Sequence, residues 1–509
     1  MRSRAPARVS ALDRRRWRDT GRLLLVAAVL VPAGCRRRPT EARELVVVQA
    51  STGVTLDPHR HHDMPTLSVL SNCYESLVAF GLDMDLVPQL ATGWESISDR
   101  ETRLQVRRGV SFHDGRPLSA ADVVASLKRS LAMPRLGFDP QLKQVEDVRA
   151  LNDHTVAIVT RQSSPLLLND LVFVSILPAD TPLEPVAKVV GTGPYKMTSG
   201  SAGGELSLER FDRYWGTAPE FERVRLVPVA DDDERAARVA RGEADLVAFP
   251  EAHWAERPNA TRFRFLKREG LAVTFLGLIA RPDGPFADRS VRQAVAGALD
   301  RPALAERALA GLAVPIDQLV PRGVLGFSPE LGPAIADSKR AAATLARSQL
   351  RRPMQLLAPA VHERVAREVA QQLAAVGVTL LPKILPWKEF LDQLPKGESE
   401  AEVRSVSSTT GDALDVLDML HTAGPPGPVA NHYGYSNPDL DRLLERAATT
   451  LDPAERAELL HQAMAIVRED AVLIPLVARY RLYALRRGLS WSPRLDGRVL
   501  AQHVHLAMN

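Results

Sequence analysis

Cysteine is nearly missing from this chain: Cys35 and Cys73 are the only two in 509 residues. That excludes a small domain stapled by disulfides, and a chain of this size can fold on its apolar core without one. Cys73 is therefore expected to be a buried, inert thiol. The apolar run Leu23–Val31 has nine residues, too short for a bilayer span of about 20 residues. The usual catalytic signatures are absent as well. There is no Gly-x-Ser-x-Gly elbow, no His-Glu-x-x-His helix and no Cys/His pair in a recognisable context, so an enzyme is not expected and no catalytic residue is assigned. Gly191-Thr192-Gly193-Pro194-Tyr195-Lys196 lacks the Gly-Lys-Ser/Thr of a phosphate loop, and Pro194 removes an amide donor. Asp231-Asp232-Asp233-Glu234 lacks the alternate spacing and the closing Glu of a calcium loop. His59-Arg60-His61-His62-Asp63 gathers imidazoles that suit nickel or zinc. No second ligand cluster of matching spacing accompanies it, so the segment reads as a solvated loop, with no metal and no cofactor expected.

What is present at the N-terminus differs from the rest. Residues 1–34 hold eight arginines against Asp13 and Asp19 and run through Leu23–Val31 into Pro32-Ala33-Gly34-Cys35. A basic segment, a short apolar core and small residues make a secretory signal. Ala33-Gly34-Cys35 resembles a bacterial lipoprotein box, with Pro32 where the box usually has Leu; the resemblance implies lipidation of Cys35. The whole chain has 65 Lys+Arg against 61 Asp+Glu, and removing the eight and the two of the signal leaves 57 against 59, a formal charge of −2. The pI near 9.1 thus belongs largely to the signal and gives no support to nucleic-acid binding. Arg36-Arg37-Arg38 would remain beside the lipid, against anionic headgroups.

The stretch Val87–Ser130 organises the remainder. Thr102, Leu104 and Val106 alternate with Arg103, Gln105 and Arg107, the period of a half-buried strand. Phe112-His113-Asp114-Gly115 makes a turn, Ser119 stands at a helix N-cap with Asp122 in the first turn, and Val123, Val124, Leu127 and Leu131 follow as a buried face. Farther along, strands are expected at 45–48, 145–160 (two, turning at Asn152-Asp153), ending at 177–178, and at 221–229, 242–247 (with a helix stop at Gly242), 271–279, 354–357 and 378–381, while 472–477 and the segment around 480–485 are expected to return the chain to the first lobe. Helices are expected over 166–172, from 231, from 288, over 340–350, 363–376 and 387–394, and from 453. Strand and helix alternate in two separate stretches, which is an α/β chain with two lobes of similar type.

Pro88, Leu90-Ala91, Trp94-Glu95, Asp99, Gly109-Val110, Phe112-His113-Asp114-Gly115, Pro117-Leu118 and Ala121-Asp122-Val123-Val124 form one ordered run. The run closely resembles the family 5 extracellular solute-binding proteins, the receptors of oligopeptide, dipeptide and nickel ABC importers. Phe286-Ala287-Asp288-Arg289-Ser290-Val291-Arg292-Gln293-Ala294 is a second match far from the first, and Tyr433-Gly434-Tyr435-Ser436-Asn437-Pro438 a third. The resemblance implies a two-lobed periplasmic binding protein of type II, cluster C-like, with an extra subdomain and a ligand cleft between the lobes. The expected division is a signal peptide 1–34, a lipid-proximal linker 35–43 and lobe I in 44–80 and 185–279. An inserted subdomain spans 81–184, lobe II 280–478, and 479–509 returns to lobe I.

In peptide-binding members an Asp on the cleft wall pairs with the peptide's ammonium. Here Ser408-Thr409-Thr410-Gly411-Asp412-Ala413-Leu414-Asp415-Val416 matches that run, with a Ser/Thr group for its Trp, Ala413 for its Tyr and Val416 for its Pro. The resemblance implies Asp412, Ser408, Thr409 and Thr410 as ligand contacts, with His59 near the cleft; the residues by themselves also allow Asp412 as a helix N-cap. The expected partners are a peptide or other small solute, an ABC permease in the inner membrane, and the membrane through a lipid anchor. The protein is expected to act as a monomer, without nucleic acid. A ligand-sensing lipoprotein and a receptor for nickel or another non-peptide solute are the alternative functions.

Overall fold

The structure is a computed structural model that describes residues 43–61, 63–133, 142–248, 260–333, 335–348, 350, 352–424 and 431–507. Residues 1–42, on which the expected signal peptide and the lipidation of Cys35 fall, and His62 lie outside the described residues.

Side chains next to the helices set where the helices begin. The Asp122 carboxylate accepts from the Ser119 amide at 2.8 Å, closing a capping box on helix Ala120–Ala132. Asp231, Asp288 and Asp452 accept from the amides of Glu234, Ser290 and Glu455 at 2.7, 2.7 and 2.8 Å. They open helices Asp232–Arg241, Arg289–Ala298 and Pro453–Asp470, each bond satisfying an amide with no intrahelical partner. Gly242, at φ +74°, ends the first of these in the left-handed conformation that glycine adopts without strain.

Eleven strands form one sheet. Glu44–Gln49 lies between Arg223–Pro228 and Leu246–Ala248, parallel to both, and buries Leu45, Val47 and Val48, as a strand covered on both faces does. Helix Asp232–Arg241 connects those two neighbours. In the second lobe, Met354–Pro359 pairs in parallel with Leu380–Leu385 across helix Glu363–Ala374, which buries Val365, Ala366, Val369 and Leu373. A separate four-stranded antiparallel sheet orders Ala91–Ser96, Glu101–Val106, Thr155–Thr160 and Val145–Asn152. The architecture is thus a two-lobed type II α/β fold with an inserted sheet.

Two long antiparallel strands, Phe263–Leu278 and Leu473–Arg486, carry the main sheet from one lobe to the other. Their register breaks between Glu269 and Val273, around Gly270. Leu246–Ala248 of lobe I pairs with the far end of Leu473–Arg486, and Ala401–Ser407 of lobe II pairs with the near end of Phe263–Leu278. Sequence patterning marks only parts of this ribbon, because Lys267, Arg268 and Glu269 interrupt the apolar alternation where the strands pass between lobes.

Other expectations shift. Residues 173–178 follow the short helix Leu167–Leu171 as irregular chain, so no strand ends at Pro178. The alanine-rich helix runs Ser338–Leu345 and stops before Leu350, where Ser348 Oγ donates to the Leu345 carbonyl at 2.6 Å and offers the backbone another partner. The strand expected at 378–381 is Leu380–Leu385. Cys73 is buried, and burial pushes its thiol up to about 12, which leaves it protonated and unreactive at neutral pH.

Candidate ligand site

Between the lobes a cavity encloses about 390 Å³ of empty space, part of it open to solvent. Its apolar floor comes from four elements: Met64 and Leu67 on helix Met64–Leu70, Phe80 on strand Val78–Phe80, Phe173 after Leu167–Leu171, and Leu271 at the register break. Asp63 caps that first helix, accepting from Thr66 N at 2.8 Å, and so holds Met64 and Leu67 in place. Phe80 and Phe173 meet edge to face with ring centroids 6.2 Å apart. The polar side is Ser407 and Thr409 from lobe II and Arg481, Asp496 and Arg498 from the returning chain.

The arginines are held by the Arg494-Leu495-Asp496-Gly497-Arg498 turn. Asp496 accepts from Arg494 Nε and Nη2 at 2.9 and 2.7 Å and from Arg498 Nε at 2.8 Å. Its backbone carbonyl accepts from Arg481 Nη1 at 3.1 Å. Burial alone would raise the Asp496 carboxyl, but the Arg498 charge and the Arg494 bonds hold it at about 2. Gly497 has φ +77°, and a Cβ there would overlap the Arg481 guanidinium; only glycine lets that arginine cross the turn. One buried aspartate thus anchors three guanidinium groups, two through its carboxylate and Arg481 through its backbone carbonyl. Sequence reasoning missed this cluster, although two arginines flanking Asp-Gly at 494–498 were a local signal for it.

A second cavity with about 480 Å³ of empty space adjoins the first, sharing Leu67, Phe80 and Arg498. It reaches Glu75, whose carboxylate accepts from Thr192 Oγ1, Tyr214 Oη and Trp215 Nε1 at 2.8, 2.9 and 2.9 Å. Burial raises Glu75 to about 7 against the pull of those donors.

The residues singled out in the sequence are distributed differently. Thr409 lines the cavity. Asp412 is 1% exposed and forms a two-point ion pair with Arg456, Nε to Oδ2 at 2.8 Å and Nη2 to Oδ1 at 3.1 Å. Its Oδ1 also accepts from Leu414 N at 2.8 Å, as a cap does. Ser408 Oγ donates to the Asp412 carbonyl at 2.7 Å. Thr410 N and Oγ1 bind Asp415 at 2.9 and 2.8 Å, and the Thr410 carbonyl accepts from Asn169 Nδ2 at 2.7 Å, a contact between segments far apart in sequence. His59 is buried: its Nε2 meets the Ser175 carbonyl at 2.8 Å and its Nδ1 lies 3.1 Å from Arg129 Nη1. Burial lowers its pKa to about 4, so it is neutral. Arg129 in turn binds Asp57 through two hydrogen bonds of 3.0 and 2.6 Å. This part of the histidine loop is therefore packed structure rather than solvated loop. Among the described residues no three His, Cys, Asp or Glu side chains gather as a metal set.

Ser405 Oγ lies 3.0 Å from His362 Nε2, with Thr274 Oγ1 2.8 Å from the same hydroxyl. Burial lowers the imidazole to about 4, which makes it a weak base for activating a hydroxyl.

Two lobes bridged by a bending ribbon around a cavity with an apolar floor and a polar wall define a solute-binding protein. Residues 85–427 match the model of the bacterial extracellular solute-binding proteins, family 5 Middle. The chain belongs to this family. It is 27% identical over 499 residues to the glutathione-binding protein GsiB of Shigella boydii, covering 92% of this chain and 95% of that one. To GsiB of Pectobacterium atrosepticum it is 28% identical over 484 residues, covering 90% and 91%. The structure of HbpA2 from Haemophilus parasuis superposes with a TM-score of 0.82 at 23% identity, covering 91% of this chain and all of that one. Among the described residues no helix is long and apolar enough to cross a membrane.

Proposed function

We propose that this protein is the substrate-binding component of an ABC importer, which closes its lobes around a peptide-like solute and delivers it unchanged to a membrane permease. The observation that carries the reading is the interlobe cavity, where Ser407 and Thr409 from one lobe face Arg481 and Arg498 on the returning chain. A solute bound there touches both halves and favours the closed state over the open one, which is what a permease must distinguish. The polar hydroxyls and guanidinium groups suit carboxylate and amide groups, and the aromatic floor suits an aliphatic stem. The similarity to proteins named as glutathione-binding supports a short peptide as the solute. The reading includes export through residues 1–34, anchoring at Cys35 and a monomeric receptor. It also includes the lobe division at 80/81, 184/185, 279/280 and 478/479, the third of which lies at the end of strand Phe263–Leu278.

Calorimetry of the mature domain with glutathione, di- and tripeptides, sugars and Ni²⁺, alongside mass spectrometry of copurifying solutes, tests it. Saturable binding of a short peptide that is recovered intact is expected. Binding restricted to sugars or to the metal, or turnover of the bound peptide, would overturn it.

A further inference from the structure

We infer that the cavity recognises its solute by an anionic group at Arg498 and Arg481, and not by an ammonium group at Asp412; this rests on the reading of the cavity as the solute site. Three observations carry it. First, Asp412 already faces a guanidinium through two hydrogen bonds and caps Leu414, and with Arg456 it is closed off from solvent, at 1% and 2% exposure. A solute ammonium would have to displace Arg456 and leave it charged and buried, which is costly.

Second, the charge bordering the cavity has the opposite sign. Arg481 and Arg498 line the cavity with one carboxylate, Asp496, which Arg498 shares with Arg494, while Arg481 meets the Asp496 backbone carbonyl. The carboxylate in the adjoining cavity, Glu75, is taken up by Thr192, Tyr214 and Trp215 and does not neutralise them by hydrogen bonding. Third, Arg498 is 5% exposed, and its Nη2 is buried with no acceptor among the described residues. A guanidinium N–H in that condition is under-satisfied, and a carboxylate oxygen is the acceptor that gains most from meeting it. Thr409 and Ser407, on the lobe II side, supply hydroxyl donors to the same group. The solute class is a short peptide or peptide-like acid in which a carboxylate is required and a free amine is not.

The test is calorimetry with glutathione, its dialkyl ester and its N-acetyl derivative. The acid is expected to bind, N-acetylation to change affinity by less than about threefold, and esterification to weaken it by about tenfold to a hundredfold, the range for a lost hydrogen bond to a charged group. Arg498→Gln is expected to lose affinity for the acid by a similar factor while leaving the ester unchanged. Because Arg498 also braces Asp496, Thr409→Val, at a half-buried position, provides a second variant and is expected to weaken the acid several-fold. An ester that binds as well as the acid, or an acetyl derivative that no longer binds, would overturn the anion subsite and leave the solute-receptor reading standing. If none of the three binds while other peptides do, and those lose nothing on C-terminal amidation, the subsite is likewise overturned. Failure of every peptide to bind would remove the receptor reading and the subsite with it.

Discussion

The Asp412–Arg456 pair gives the sharpest test of how the second lobe is held together. Both side chains are almost wholly buried, so removing one leaves the other charged in a place water does not reach. Arg456→Met should destabilise the protein by about 3–5 kcal/mol, the cost of breaking a buried ion pair from one side. Asp412→Asn should cost a similar amount, although the amide oxygen can still accept from Leu414 N. The double variant removes both charges and keeps the cap. It should lie within about 1–2 kcal/mol of the parent, a coupling of several kcal/mol between the two sites. At about 2.1 cal/mol/K per residue, the unfolding entropy of a unit this size is near 1 kcal/mol/K, so each single variant should melt about 3–5 °C lower. Urea titration followed by far-UV circular dichroism gives both quantities. A single variant costing less than about 1 kcal/mol, or a double variant as unstable as the two singles added, would refute the reasoning.

Three further outcomes are expected. The native state holds the Glu75 proton more tightly than the unfolded chain does, its pKa rising from 4.5 to about 7. Stability is therefore lost as pH climbs through that window, by on the order of 3 kcal/mol, and Glu75→Gln should flatten this part of the stability–pH curve measured in urea. Cys73, buried and raised to about 12, should not react with a thiol reagent at pH 7 until denaturant is added; rapid labelling of the folded protein would contradict its packing. Asn169→Ala removes the 2.7 Å bond to the Thr410 carbonyl. It should shift the unliganded closed-to-open ratio by about fivefold toward open, for a bond worth about 1 kcal/mol, as read by fluorescence transfer between labelled lobes.

Features written in neighbouring residues were legible in the sequence. The capping box at Ser119 and Asp122, the aspartates before residues 232, 289 and 453, and the glycine at 242 act over a few positions, and the helices begin and end with them. The site was less legible because its parts meet only through the fold. Nothing near Asp412 announces Arg456, 44 residues on, and the local run is equally compatible with a cap or a ligand contact. Arg481 and Arg498 are separated by a turn whose Gly497 makes room for one to lie against the other's loop. The histidine loop was misjudged for the same reason: Asp57 and His59 are buried by Arg129, 70 or more positions later.

The ribbon of Phe263–Leu278 and Leu473–Arg486 also constrains the order in which the chain can be assembled. The lobe I strand Leu246–Ala248 needs residues 483–485 as its edge partner, and these are synthesised more than 230 residues after it. A nascent chain that ends before residue 473 therefore carries an unpaired sheet edge and an incomplete apolar core, and non-local pairing of this kind is slow. The first lobe therefore closes its sheet late, once residues 483–485 reach the edge left open at 246–248.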